Sequence, residues 1–179
     1  MGASASGDLL FLSVRLQEND EFNLGEFKIR ALHTPDHTPE SISFIVEEQG
    51  EPTVIFTRGG LMLGGAARVD LLGAKVAPFL ACWLHNTIRE KLLKLPDDVQ
   101  VYPTHGGRSF CSVALGGGGV PTTISHQRLT NPFAAEAEEN GFVRYALTGL
   151  DSYRRYCGYM AHINRRGRTF WAASLGWLP

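Results

Sequence analysis

The sequence has few cysteines, no long apolar run and no excess of charge of either sign. Its 179 residues include three cysteines, and the formal net charge is -1. Cys82, Cys111 and Cys157 are too scattered for a disulfide framework, which predicts reduced thiols in a cytoplasmic protein. The charge balance gives no basic footprint for nucleic acid. No stretch approaches the roughly 18 apolar residues of a membrane span. We therefore expect neither nucleic acid nor a membrane as a partner.

Short apolar runs bounded by turn residues occupy the first part of the chain. Strands are predicted over 9–16, 27–32, 42–46, 54–56 and 99–102, and helices over 75–95, 131–147 and 152–163. The first helix is indicated by Leu84, Ile88, Leu92 and Leu95, which recur at helical spacing. A strand–helix–strand succession is typical of an α/β domain built in layers.

Two histidines lie in the segment HTPDHTP at 33–39, directly after a predicted strand. On a helix their spacing of four would put both rings on one face, but Pro35 and Pro39 disfavour a helix. The segment is therefore predicted to be a rigid loop, from which only one of His33 and His37 points into a given site. A surface loop that happens to hold two histidines is the alternative.

A further strand-end histidine, His105, occurs in YPTHGG at 102–107, where glycines let the backbone approach a ligand closely. In α/β proteins ligands bind beyond the strand ends, so histidines on two such loops predict a metal site. The remaining histidines, His85, His126 and His162, are predicted to be surface residues rather than ligands.

A glycine-rich segment, FTRGGLMLGGAARVDL, covers 56–71. Its backbone N–H groups suit an anion, but it lacks the Gly-Lys-Ser/Thr ending of a P-loop, which argues against a nucleotide. Within it, Arg68 and Asp70 form either a structural ion pair or a clamp on a substrate, and the ion pair is favoured.

Four motifs follow one another along the chain: TPDHTPES at 34–41, FTRGGL at 56–61, ARVDL at 67–71 and LPDDVQVYPTHGGRSFC at 95–111. They resemble the TPGHTPGS, FTGD-L, GRxDL and LPD-V-VYPGHG-GS-C motifs of the metallo-β-lactamase family, in its glyoxalase II and persulfide dioxygenase branch. Later segments are similar to the tail of bacterial members that carry a rhodanese domain. The resemblance spans about residues 7–167.

The resemblance implies an αββα sandwich of two similar halves, an α/β (or α+β) fold. The second half is nearly complete here and the first is truncated, and the family's HxHxDH metal motif has no counterpart in this chain. Residues 1–167 would form the partial domain, and 168–179 a tail of uncertain origin. A sheet face that is normally covered would be exposed, which predicts a homodimer or a completing polypeptide.

The resemblance also implies roles for single residues. His37 corresponds to a metal ligand, and His105 to the late histidine that binds the second metal in the hydrolases or lies near the single iron in the dioxygenases. Arg68 corresponds to an arginine near the pocket for a thiol-derived substrate, such as a glutathione conjugate.

Departures from the family pattern concern the same site. The family's carboxylate ligand aligns with Gly59, and Arg58 stands where the family has a glycine. Asp36 and Asp70 are possible substitute carboxylates.

The activity implied by the resemblance depends on one or two iron or zinc ions. It is either hydrolysis of a glutathione-type thioester by metal-activated water or oxygenation of a persulfide at a single iron. The alternative is a catalytically inactive fragment or binding remnant of such an enzyme, because this chain offers fewer than the three ligands of such an iron site.

Overall fold

The computed structural model describes residues 3–4, 9–10, 14–105, 112–114, 122–148, 150, 152 and 155–166. The strands are β1 (Ala3–Ser4), β2 (Arg15–Leu16), β3 (Glu21–Leu24), β4 (Phe27–His33), β5 (Ile42–Glu48), β6 (Glu51–Arg58), β7 (Gly65–Ala67), β8 (Gln100–Pro103), β9 (Ser112–Ala114) and β10 (Thr122–Thr123). The α-helices are α1 (Ala77–Asn86), α2 (Ile124–Thr130), α3 (Pro132–Ala135), α4 (Glu139–Leu147) and α5 (Cys157–Arg166). Predictions for 106–111 and for the tail at 168–179 lie outside the described residues.

The main sheet has six strands in the order β10-β8-β6-β5-β4-β3. Strands β3 to β6 form an antiparallel meander, whereas β8 lies parallel to β6. A parallel neighbour requires a crossover, and α1 lies within the one between β6 and β8. The predicted α/β arrangement is confirmed.

The helical prediction over 75–95 is also confirmed, with a change of winding. Helix α1 continues into a π-helix, Thr87–Lys91, and a 3-10 helix, Leu92–Lys94. Leu84, Ile88 and Leu92 are fully buried in the main core. No described helix has the length and apolar composition needed to cross a membrane.

Several elements differ from the sequence prediction. Strand β3 was not predicted, although Phe22 and Leu24 alternate before a two-residue turn in which Gly25 has φ of 63°. Helix α2 was also missed, because its seven residues offer few apolar positions and its N-terminal cap, Thr123, reads equally well as a loop residue. The helix predicted over 131–147 is divided into α3 and α4. Of the strand predicted over 9–16, the described residues form only β2.

The two faces of the main sheet have different surroundings. One face, represented by Ile45, Ile55 and Val101, lies in the core cluster with α1 and α4. On the other face, most residues paired directly across the strands are apolar and partly or largely exposed. This "open face" consists of Phe22, Leu24, Phe27, Ile29, Phe44, Val46, Val54, Phe56 and Tyr102, together with the polar residues Glu48 and Gln100. An exposed sheet face is what the resemblance led us to expect.

Candidate metal-binding site

The loop between β4 and β5 is organised by a buried carboxylate. Asp36 is fully buried, and its Oδ1 accepts hydrogen bonds from the Ser41 hydroxyl at 2.6 Å and the Thr38 N–H at 3.2 Å. The loop is closed by a bond from the Thr34 N–H to the Ser41 carbonyl at 2.9 Å. Asp36 thus replaces a family glycine with a side chain that holds the loop together.

The same loop is held by one contact with the π-helix and by one contact within the loop. The Thr87 hydroxyl, at the start of the π-helix, donates to the Pro35 carbonyl at 2.6 Å. His33 Nε2 lies 3.0 Å from the Pro39 carbonyl, so this ring is engaged within the loop. His37 is therefore the loop histidine whose ring can serve a site.

His37 lies against the Asp36 carboxylate. Its Nδ1 is 2.8 Å from Asp36 Oδ1, but the ring N–H is not directed at that oxygen, and both Nδ1 and Asp36 Oδ2 lack a hydrogen-bond partner among the described residues. Burial lowers the pKa of His37 and the Arg58 charge lowers it further, but Asp36, helped by Glu40, leaves the pKa above its ordinary value.

Gly59 is packed directly against the His37 ring. A Cβ added at Gly59 would lie 2.7 Å from Ala67 Cβ and 2.8 Å from His37 Nδ1. Since neither neighbour is the free end of a flexible chain, no side chain fits without displacing the ring. The position where the family has its carboxylate ligand is filled by the His37 imidazole itself.

Arg58, which precedes Gly59, stands where the family pattern has a glycine. Arg58 has φ of 52°, in the left-handed region that favours glycine, next to an irregularity in the pairing of β6 and β8. Glycine adopts that conformation without a steric cost, whereas for a residue with a Cβ the cost is about 1 kcal/mol. Arg58 therefore holds this conformation at some loss of stability.

Arg68 and Asp70 form the ion pair that the sequence favoured. The Nε and Nη2 atoms of Arg68 donate to the two oxygens of Asp70 at 2.7 and 2.8 Å. Arg68 is buried, with 7% of its surface exposed. Both oxygens of Asp70 are thus engaged, and a substrate contact by Arg68 stays a prediction.

His105 is exposed just beyond β8. The register places Pro103 beside Arg58, and the Thr104 N–H donates to the Arg58 carbonyl at 3.2 Å. The ends of β6 and β8 therefore bring Gly59 and His105 to the same edge of the sheet, as expected for a parallel pair.

These residues do not complete a metal centre. Within the part of the chain that the structure describes, no group of three or more His, Cys, Asp or Glu side chains is placed to hold a metal ion. Iron and zinc sites in proteins use three or four such ligands. The orphaned His37 Nδ1 and Asp36 Oδ2 supply one imidazole and one carboxylate, so the described donor set does not fit an iron or zinc centre by itself.

One prediction about the histidines was wrong. His85 is 8% exposed, its Nε2 lies 3.2 Å from the Ala137 carbonyl, and its ring makes an edge contact with Phe142. It was expected at the surface because histidine is polar. It is buried because α1 turns this position towards α4, where a carbonyl and an aromatic ring accommodate it.

The comparisons with known proteins agree on one family, although no protein-family model matches the chain. The chain is 24% identical over 119 residues to the mitochondrial persulfide dioxygenase ETHE1 of Homo sapiens, covering 66% of this chain and 40% of that protein. It is 32% identical over 117 residues to the hydroxyacylglutathione hydrolase GloC of Haemophilus influenzae, covering 65% and 45%. The crystal structure of a metallo-beta-lactamase from Staphylococcus aureus superimposes with a TM-score of 0.77 at 28% identity, covering 88% of this chain and 46% of that one. The chain thus spans less than half the length of these relatives.

Proposed function

We propose that the chain, which is similar to members of the glyoxalase II and persulfide dioxygenase branch of the metallo-β-lactamase fold family, is part of an enzyme acting on a glutathione-type thioester or persulfide. The names of its relatives have a small thiol-derived substrate in common. The two chemistries differ in what can be measured. Hydrolysis of a thioester releases a thiol, whereas oxygenation of a persulfide consumes oxygen.

The observation that carries this proposal is the loop of His37. The loop occurs at the family's position, is clamped through the buried Asp36, and presents the ring at the edge of the sheet where β6 ends. We assign His37 as this chain's ligand to an iron or zinc centre, with His105 as a second candidate at the same edge. Further ligands would have to come from outside the described residues.

Arg68 is the proposed substrate-side residue. It follows β7 directly, one position after the Ala67 side chain that packs on Gly59. Its pairing with Asp70 fixes the guanidinium and would leave it able to attract an anionic group of a glutathione conjugate.

The alternative is that the chain is a catalytically inactive remnant of such an enzyme. The specific observation in its favour is the contact between Gly59 and His37, which leaves no room for a carboxylate ligand at that position. A binding role for a thiol-derived ligand without turnover would be consistent with it.

The cellular location of the protein is also a proposal. Cys82 and Cys157 are free thiols, as expected of a protein kept under reducing conditions. This supports a cytoplasmic location.

The test measures metal content and turnover on the same preparations. The full chain is compared with His37→Ala and with a matched control, His126→Ala, whose residue is exposed on α2. Bound iron and zinc are determined by elemental mass spectrometry, thiol release is followed with a glutathione thioester, and oxygen uptake with glutathione persulfide. Near-stoichiometric metal and turnover in the wild type and the control, both lost in His37→Ala, would support the enzyme with His37 as a ligand. Background metal without turnover in the wild type would instead support the inactive remnant.

A further inference from the structure

We infer that the π-helix Thr87–Lys91 positions the His37 ring, through hydrogen bonds from the side chains of Thr87 and Lys91 to the loop that carries it. Both are positioning residues, because they contact the loop backbone and act on the site only through His37. The ring has a site to serve only under the proposed function, so this role rests on that function.

Hydrogen bonds inside the loop fix its shape but not its place in the fold. The bonds of Asp36 and Ser41 join residues within 34–41, so they would be kept if the loop moved as a unit. The position of His37 relative to β6 therefore depends on contacts between the loop and other elements.

The π-helix supplies two such contacts, one from each end. The hydroxyl of Thr87, its first residue, donates to the Pro35 carbonyl at 2.6 Å. The ammonium of Lys91, its last residue, donates to the His33 carbonyl at 2.6 Å. Both carbonyls lie just before His37, and their donors come 52 and 58 positions later in the chain.

The Lys91 contact is part of a closed ring of polar groups. Its Nζ lies 2.9 Å from Glu18 Oε1, and the other oxygen of that carboxylate accepts the His33 N–H. The N–H and the carbonyl of His33 are therefore both held, by Glu18 and Lys91 respectively. Hydrogen bonds to charged groups are stronger than those between neutral groups, which suits a fixed start of the loop.

The Thr87 contact is buried. Thr87 has 2% of its surface exposed, so water has little access to replace its hydroxyl as the partner of the Pro35 carbonyl. A Cβ added at Gly60 would lie 3.7 Å from Thr87 Cγ2, which places the Thr87 methyl group beside the residue after Gly59. Thr87 thus joins the loop to the segment on which the His37 ring packs.

The core fixes the helix from which both contacts are made. Ile88 and Leu92 are fully buried in the main core cluster. Thr87 and Lys91 each precede one of them by one residue and, being four apart, share the face of the helix that meets the loop. Short π-helical turns within α-helices occur frequently at functional sites. The place of the loop is thus determined by a packed element.

The experiment is NMR spectroscopy of the full 179-residue chain, kept free of metal by a chelator. A Cβ added at Gly59 would lie 3.0 Å from His37 Cε1, so the ring proton on that carbon is close enough to the Gly59 α-protons for a strong Overhauser cross-peak. This cross-peak, together with the chemical shifts of the ring, reports the ring position independently of metal and turnover.

Two variants remove the contacts with little change of shape. Thr87→Val replaces the hydroxyl by a methyl group, and Lys91→Met removes the ammonium while keeping an apolar stem. We expect each to shift the ring signals and weaken the cross-peak, and the double variant to lose it, because the loop is no longer held against the end of β6. Thr87→Ser keeps the hydroxyl and should restore the wild-type signals.

Three further variants serve as controls. Thr148→Val makes the same change at an exposed hydroxyl that donates to the Arg144 carbonyl at 2.6 Å, and Lys94→Met at a lysine whose side chain is 66% exposed. Ile55→Ala lowers the stability of the whole fold by opening a cavity in the main core. All three should keep the wild-type cross-peak.

Variants of the π-helix that leave the cross-peak and the ring shifts unchanged would overturn the inference, as would a wild type without the cross-peak. If Ile55→Ala also loses it, the ring position follows general stability and the inference fails too. Lys91 has 32% of its side chain exposed, so Lys91→Met decides the outcome if Thr87→Val does not fold. The expected ring contacts in a chain with neither metal nor turnover would instead contradict the proposed function, and with it the role of these contacts in a site.

Discussion

The two faces of the main sheet have similar apolar side chains and opposite surroundings. Ile55 is fully buried, whereas Phe56, the next residue of β6, is 46% exposed. The same holds for Val101 at 2% and Tyr102 at 39% on β8. Because side chains alternate along a strand, the two members of each pair lie on opposite faces of the sheet. The apolar side chains on both faces are suited to burial. Whether they are buried depends on whether another layer of the structure packs on that face.

The covering layer exists on one face because of the chain's path. After β6 the chain crosses over the sheet through α1 and returns as β8, and α4 then packs on α1. Leu80, Leu84 and Phe142 from these helices are buried with Ile55 in one core cluster.

The largest expected effect separates the two faces directly. Ile55→Ala should lower the free energy of unfolding by about 3 kcal/mol, because it leaves a cavity under the helices. Phe56→Ala should lower it by less than about 1 kcal/mol in the monomer, since much of the ring already contacts water. Denaturant unfolding at low protein concentration measures both. Equal losses would contradict the difference between the faces.

The second prediction tests packing where β6 leaves the sheet. Gly59→Ala should cost about 2 kcal/mol, because the new methyl group meets Ala67 and the His37 ring. Gly60→Ala is the matched control, since its methyl would meet the Leu92 Cδ1 end at 2.9 Å, the Thr57 carbonyl at 3.4 Å and Thr87 Cγ2 at 3.7 Å, and its cost should be smaller. Thermal unfolding ranks the two variants. If Gly59→Ala were neutral, the ring would be free to move and position 59 open to a carboxylate.

The smallest expected effect concerns the covering layer itself. Burial, together with the Glu139 carboxylate, raises the pKa of the Cys82 thiol on α1. A raised pKa means less thiolate at a given pH, so alkylation near pH 8.5 should be slower than for a small free thiol. Glu139→Gln removes one cause and should speed it a few-fold. Mass spectrometry of the labelled peptide assigns the rate to Cys82, and a rate unchanged by the variant would mean that the two helices are not closely packed there.

The local sequence pattern predicted the elements in which apolar residues recur over many positions. The strands β4, β5 and β6 and the helix that begins with α1 were all found, each within a few residues of its bounds. Elements with little local signal were missed, as α2 shows, and His85 was placed on the wrong side of α1. In both cases a contact with a distant part of the chain, and not the local pattern, determined the outcome.

The order of the motifs assigned His37, Arg68 and Gly59 to the candidate site from the sequence alone. It could not tell that Asp36 binds its own loop or that the His37 ring fills the space beside Gly59, since both facts depend on how two loops meet.

The sequence by itself indicated the resemblance to the family, the strand–helix–strand order and the short apolar runs that place hydrophobic side chains on both faces of the sheet. These follow from side-chain chemistry and spacing along one chain. Only the tertiary structure decided which face is covered, which loop histidine is engaged within its own loop, and that no described set of three ligands comes together. Each of these depends on distances between residues far apart in sequence, and a pattern along the chain contains no such distances.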